Sequence, residues 1–170
     1  MFRWLFVSLM VLLLDQASKQ FAEALLSLHR PLHLLPFFDL TLMYNEGAAF
    51  SFLGEQGGWQ RWFFILLALG VTGVLIGWLR RLQAQERWTA LALSLIIGGA
   101  LGNVSDRIWF GKVIDFLDLY YRAGSCLPGF YRLGGNCHWP AFNLADSAIT
   151  VGVVILLLNG LFQSQGKRAD

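Results

Sequence analysis

Two aspartates late in the chain stand in apolar surroundings, Asp115 in Val113-Ile114-Asp115-Phe116 and Asp146 in Phe142-Asn143-Leu144-Ala145-Asp146-Ser147. A carboxylate beside hydrocarbon is costly, so each of these acids calls for a partner and a role. If the two segments pack together, both carboxylates share one semi-apolar pocket. Like charges a few ångströms apart do not both ionise cheaply, and such a pair holds one proton between its members. The ionised member can then take a proton from water while the protonated one polarises a carbonyl, which is the chemistry of aspartic proteolysis. Spacing alone leaves two bland readings open, in which the acids cap helices or pair with Arg107.

Other chemistries find little to work with. Cys137 and His138 are adjacent, so in an extended segment their side chains point to opposite faces. The chain has no Gly-x-Ser-x-Gly elbow, no His-Glu-x-x-His and no phosphate-binding loop. Cys126, Cys137 and His138 lack zinc-ligand spacing. Two further polar stretches stand out. Asp15 and Lys19 are spaced i,i+4, on one helix face, as an ion pair would be. Gly98-Gly99-Ala100-Leu101-Gly102-Asn103-Val104-Ser105-Asp106-Arg107 combines a small-residue seam with an amide, an acid and a guanidinium. Gly73 and Gly77 offer a second seam of the same kind. Asp106 is read as pairing with a cation, while Asn103 and Arg107 suit structural pairing and substrate contact equally.

The elements that must hold these residues follow from composition. The 170 residues are 56% hydrophobic and 14% charged, whereas a soluble domain carries about a quarter charged residues. A formal net charge of +2 is too small and scattered for a nucleic-acid footprint. A spanning helix needs about 20 mostly apolar residues, and four segments qualify, near 4–25, 62–79, 88–106 and 142–162. The first includes Asp15 and Lys19; its rival reading, a cleaved signal peptide, lacks a small-x-small cleavage site. The reading is a single integral membrane domain over 1–170. Arg3, Arg80, Arg81, Arg87, Lys167 and Arg168 flank short pieces on one face, which the positive-inside rule makes cytoplasmic, together with both termini. Outer segments 27–61 and 107–141 then carry short strands, among them Leu40-Thr41-Leu42 and Phe50-Ser51-Phe52. Gly57-Gly58-Trp59-Gln60-Arg61 reads as an interfacial approach to the second span.

Taken in order, Asp15-Gln16-Ala17-Ser18-Lys19, Asn45-Glu46-Gly47-Ala48-Ala49-Phe50-Ser51, Gly98 to Arg107, Val113 to Phe116 and Phe142 to Ser147 closely resemble the blocks of bacterial lipoprotein signal peptidase (signal peptidase II). Five ordered blocks from the first span to the last make the resemblance specific. It implies four transmembrane helices with a small extracytoplasmic β-cradle and a short interfacial helix. It implies an aspartyl endopeptidase of the bacterial cytoplasmic (inner) membrane that cuts diacylglyceryl-modified prolipoproteins just before the lipidated cysteine. Carried onto matching positions, Asp115 and Asp146 are the catalytic pair. Asn45, Asn103, Arg107 and Asn143 bind substrate, Asp15 is a supporting acid, and no metal or organic cofactor is implied. Gly47-Ala48-Ala49 would leave room for the substrate chain. Partners would be the prolipoproteins and membrane lipid, with no nucleic acid, and the enzyme would be a monomer.

One stretch departs from the family pattern. Asp118 to Trp139 is longer and carries both cysteines. In an oxidising compartment Cys126 and Cys137 either bridge, tying down a Gly-rich loop, or remain two partly buried thiols. Two other classes stay open: a small proton-coupled transporter using intramembrane carboxylates, and a non-catalytic scaffold packing through its glycine seams.

Overall fold

The computed structural model describes residues 2–47 and 58–166. In chain order the elements are α1 (Phe2–Leu25), β1 (Leu32–Leu35), β2 (Phe38–Asn45), α2 (Trp59–Arg81), α3 (Arg87–Trp109), β3 (Val113–Tyr121), β4 (Tyr131–Leu133), β5 (Asn136–His138) and α4 (Leu144–Gly166). All four helices are long and apolar enough to cross a membrane. Each overruns its uncharged run because backbone hydrogen bonding continues into flanking polar residues. α1 carries Asp15 and Lys19 within it, and α3 carries Asp106 and Arg107.

Contacts divide the chain into two compact units. The first comprises the described parts of Met1–Asp15, Ile65–Ser105 and Leu144–Asp170. Its core is Leu79, Leu82, Ala90, Leu93 and Ile97, with Trp4, Leu5, Leu75, Ile76, Leu101 and Leu156 packed against it. α3 is the inner helix: 61% of its apolar window is buried, against 17–22% for the other three. Small residues permit this. A Cβ on Gly98 would meet the Ser8 carbonyl and Val11, one on Gly99 the Ala145 carbonyl and Ile149, and one on Gly152 the Ala92 carbonyl and Ile96. Polar ties supplement the packing, with Ser8 Oγ donating to the Ser94 carbonyl at 2.8 Å and Asn159 Nδ2 to Thr89 Oγ1 at 2.9 Å. Gly73 and Gly77, expected to form a like seam, face open space. The outward faces of these helices are large and apolar, including Phe6, Leu14, Leu66, Val74, Leu157 and Leu161, as lipid contact requires.

The second unit is Gln16–Phe64 with Asp106–Asn143, and it is organised by a five-stranded antiparallel sheet of order β1-β2-β3-β5-β4. Leu40-Thr41-Leu42 lies in β2, as its alternation predicts; Phe50-Ser51-Phe52, Ala48 and Ala49 lie outside the described residues. Among the described residues no short helix stands apart from the four, and the expected approach Trp59-Gln60-Arg61 is the first turn of α2 itself. Trp59, Trp62 and Trp109 are exposed, and Arg61 Nη2 donates to the Ile108 carbonyl at 2.8 Å. Exposed indoles beside a cation suit a membrane–water boundary.

The interior of the sheet is unusually polar. Asp39 and Asp118 face each other across β2 and β3, and both are buried. Opposed like charges destabilise a strand pair, and here each acid has its own ring partner. His33 Nδ1 is 2.9 Å from Asp39, His138 Nδ1 is 2.8 Å from Asp118, and Thr41 Oγ1 donates to Asp118 at 3.0 Å. The His138 ring is stacked on Tyr120 and Tyr131. Gly134 and Gly135, both at positive φ, make the two-residue turn from β4 to β5, the geometry that tight hairpins require. Cys126 and Cys137 form a disulfide with Cα atoms 5.4 Å apart, which joins the loop before β4 to the middle of β5.

Candidate active site

β3 is buried on both faces from Val113 to Phe116, so it carries Asp115 into an enclosed setting. Two amides meet that carboxylate. Asn143 Nδ2 donates to Asp115 Oδ1 at 2.7 Å, and Asn45 Nδ2, at the end of β2, to Oδ2 at 3.3 Å. Asn143 is itself fully buried and also donates to the Ile114 carbonyl at 3.2 Å. Backbone pairing places it there: the Phe142 carbonyl accepts from Phe116 and Leu117 N–H, and Phe142 N–H donates back to the Leu117 carbonyl at 3.0 Å. Asn45 Oδ1 accepts the Gly47 N–H at 3.0 Å, and the Gly47 carbonyl accepts from Arg107 Nη2 at 2.8 Å. The Arg107 guanidinium lies over the Phe64 ring at 5.3 Å, a cation–π contact that steadies it. Next to Asn45, the Tyr44 hydroxyl donates to Glu23 at 3.0 Å. Burial, the Glu23 hydrogen bond and the Glu23 charge, in that order, raise its pKa above the usual tyrosine value.

Asp146 belongs to the first unit, in the opening turn of α4, where the helix dipole favours an anion. It is half-buried, and Asn103 Nδ2 of α3 donates to its Oδ1 at 2.7 Å. Asp15, fully buried on α1, accepts the Ala145 N–H at 2.9 Å, satisfying one of the orphan donors of a helix start. Gly102 makes the approach possible, since a Cβ there would collide with the Asp15 carboxylate.

Lys19 has a partner that its spacing does not reveal. Its Nζ lies 2.8 Å from Asp106 Oδ2, with both side chains almost wholly buried. Asp106 also accepts from Gln16 Nε2 at 2.7 Å and from the Ile114 N–H at 3.2 Å. The cation expected for Asp106 is therefore a residue far upstream, and Gln16, with no signal of its own beyond adjacency to Asp15, joins it. Asn45, Asn143 and Asp115 are brought together in one unit and Asn103 and Asp146 in the other. Among the described residues no group of three or more His, Cys, Asp or Glu is arranged to hold a metal ion.

Four membrane-spanning helices and an antiparallel sheet define a multi-pass membrane protein, and in each unit an aspartate is held by an asparagine amide. The family described as signal peptidase (SPase) II matches residues 7–162, and the chain belongs to that family. It is therefore a membrane-embedded protease. A "Lipoprotein signal peptidase" of Aeromonas hydrophila subsp. hydrophila is 49% identical over 98% of this chain and 92% of its own. One of Pseudomonas fluorescens (strain Pf0-1) is 48% identical over 95% and 88%, and one of Shewanella oneidensis 45% over 98% and 90%. A solved bacterial membrane enzyme shares the fold with a TM-score of 0.80 at 24% identity, covering 98% of this chain and 92% of that one. A second has a TM-score of 0.74 at 25% identity, covering 95% and 94%. None of these likenesses favours a transporter.

Proposed function

We propose that this protease removes the signal peptides of diacylglyceryl-modified prolipoproteins, cleaving just before the lipidated cysteine, and that Asp115 and Asp146 are its aspartyl pair. In the reaction one carboxylate takes a proton from water as the water oxygen attacks the scissile carbonyl carbon, while the other, protonated, donates to the carbonyl oxygen. The tetrahedral intermediate collapses as the first carboxyl passes the proton it took from water to the peptide nitrogen, which leaves as the free amine of the lipidated cysteine, and the second carboxylate takes back a proton from a hydroxyl of the intermediate. General acid–base assistance of this kind contributes about 10²- to 10⁴-fold. Acyl chains held in the bilayer deliver the bond to the outer interface and lower the cost of encounter.

The observation that carries this reading is the tether between the two acids: Asn143, bound to Asp115 at 2.7 Å, stands three residues before Asp146 in the chain. The amides of Asn45, Asn103 and Asn143 orient the carboxylates and line the substrate path. Arg107, fixed on Gly47, faces the same chain. Asp15 supports Asp146 by holding the start of α4. The enzyme acts as a monomer without a cofactor in the bacterial inner membrane, in contact with lipid, with both termini cytoplasmic and the segments 27–61 and 107–141 extracytoplasmic; the density of arginines in the short connections supports that orientation. The test is cleavage of a diacylglyceryl-modified prolipoprotein by purified protein in detergent. Wild type is expected to cut, and folded Asp115→Asn and Asp146→Asn to be inactive. Normal cleavage by either variant refutes the pair.

A further inference from the structure

Asp106 is an expensive residue. A carboxylate taken wholly out of water needs a cation and hydrogen-bond donors to be tolerated, and a well-packed apolar side chain would often be as stable in its place. Its three partners come from two places. Lys19 and Gln16 are on α1, and the third is the N–H of Ile114, the residue immediately before Asp115. The backbone between Asp106 and Ile114 leaves α3, turns at Gly111 with φ +77° and enters β3. The Asp106 side chain thus staples the first residues of β3 to the end of α3, and α1 holds the staple from outside. Holding the Ile114 nitrogen fixes the Val113–Ile114 peptide plane, and because Ile114 and Asp115 are both paired in the ladder with β2, opposite Tyr44 and Met43, that position is carried on to the Asp115 backbone.

We propose that Lys19, Gln16 and Asp106 are positioning residues for the peptidase reaction: the Asp106 carboxylate, paired with Lys19 and Gln16, holds the Ile114 N–H and thereby sets the place of Asp115. The proposal rests on the reading of Asp115 as a catalytic acid. It gives the block Asp15-Gln16-Ala17-Ser18-Lys19 a second role beside that of Asp15. Asp15 holds the N–H of Ala145, the residue before Asp146, while Gln16 and Lys19 secure the carboxylate that holds the N–H of the residue before Asp115. A displacement of about 1 Å in a reacting group costs on the order of 10²-fold in rate, so a buried charge pair at this point has a kinetic use that an apolar pair would lack.

The experiment compares full-length wild type, Lys19→Met, Asp106→Asn, the double variant and Gln16→Met on a diacylglyceryl-modified prolipoprotein in detergent, with rates expressed per folded molecule. Lys19→Met and Asp106→Asn are each expected to lower kcat by about 10²-fold while KM stays within about twofold. The double variant removes the Lys19–Asp106 charge pair as a unit and keeps an acceptor for the Ile114 N–H, so it should recover about tenfold over Lys19→Met. Gln16→Met should lower kcat by a few-fold. Unchanged kcat per folded molecule in the single variants, or a double variant equal to the product of the singles, overturns the proposal. Should Lys19→Met fail to fold, unchanged kcat in Gln16→Met overturns it instead. Asp115→Asn runs alongside: if it is dead while Lys19→Met turns over normally, only the positioning role falls, whereas normal cleavage by Asp115→Asn removes the catalytic reading and this role with it.

Discussion

An asparagine amide is well suited to hold a carboxylate whose protonation changes during a reaction. Its N–H donors stabilise the ionised form, yet it carries no charge of its own to fix that form permanently, as a nearby arginine would. Asn143 meets Asp115 and Asn103 meets Asp146 with the same 2.7 Å geometry. A hydrogen bond to a charged group contributes about 1.5–3 kcal/mol. Asn143→Ala and Asn103→Ala are therefore each expected to lower kcat by about 10- to 100-fold, measured as prolipoprotein cleavage, with a smaller effect on KM. Equal losses in kcat and in folded yield would mark the amides as structural only. Both asparagines are visible in the sequence as polar residues in apolar runs, but which acid each serves is not. That pairing depends on the Phe142–Leu117 backbone bridge and on the approach of α3 to α4.

At the scale of the element, two glycine seams with one sequence pattern have different fates. Gly98 and Gly99 lie under backbone carbonyls of α1 and α4, whereas Gly73 and Gly77 meet nothing within 4 Å. Adding a methyl group to a filled contact costs about 1–3 kcal/mol, and adding it to an open helix surface costs nothing of that kind. Gly99→Ala should therefore lower the thermal midpoint in detergent by several degrees, and Gly77→Ala should leave it unchanged or raise it. A fall in both would mean that the α2 face is packed. The spacing of small residues shows that a helix can be approached closely, but not that another helix comes. The sheet teaches a related lesson. Alternation marks β2, but the opposition of Asp39 and Asp118 is a matter of register, and register is set by the whole sheet.

For the whole molecule, the placement of cations predicts a topology that labelling can read. In cells expressing variants with one added thiol, Arg30→Cys should react with a membrane-impermeant maleimide from outside, and Gln85→Cys, in the connection between α2 and α3, only after permeabilisation. The reverse pattern would invert the protein in the membrane. The four spans were legible because exclusion of charge from hydrocarbon acts on each segment by itself, and a run of apolar side chains announces it without reference to the rest of the chain. Four of the polar blocks were legible for the same reason, because carboxylates and amides in such places stand out against their neighbours, whereas the block from Asn45 to Ser51 was marked only by the family resemblance. Partnership was not. Lys19 has an acid one helical turn away at Asp15, which local spacing points to; that its ammonium also lies 2.8 Å from Asp106, far along the chain, is something no spacing shows. Cys126 and Cys137 were equally consistent with two thiols or one bridge, and the return of β5 against β3 accompanies the bridge that the structure contains. The sequence by itself determines which residues must avoid water and which polar groups must find partners. The partners themselves are decided by tertiary structure, because hydrogen bonds and ion pairs act over about 3 Å, a distance that sequence separation does not measure.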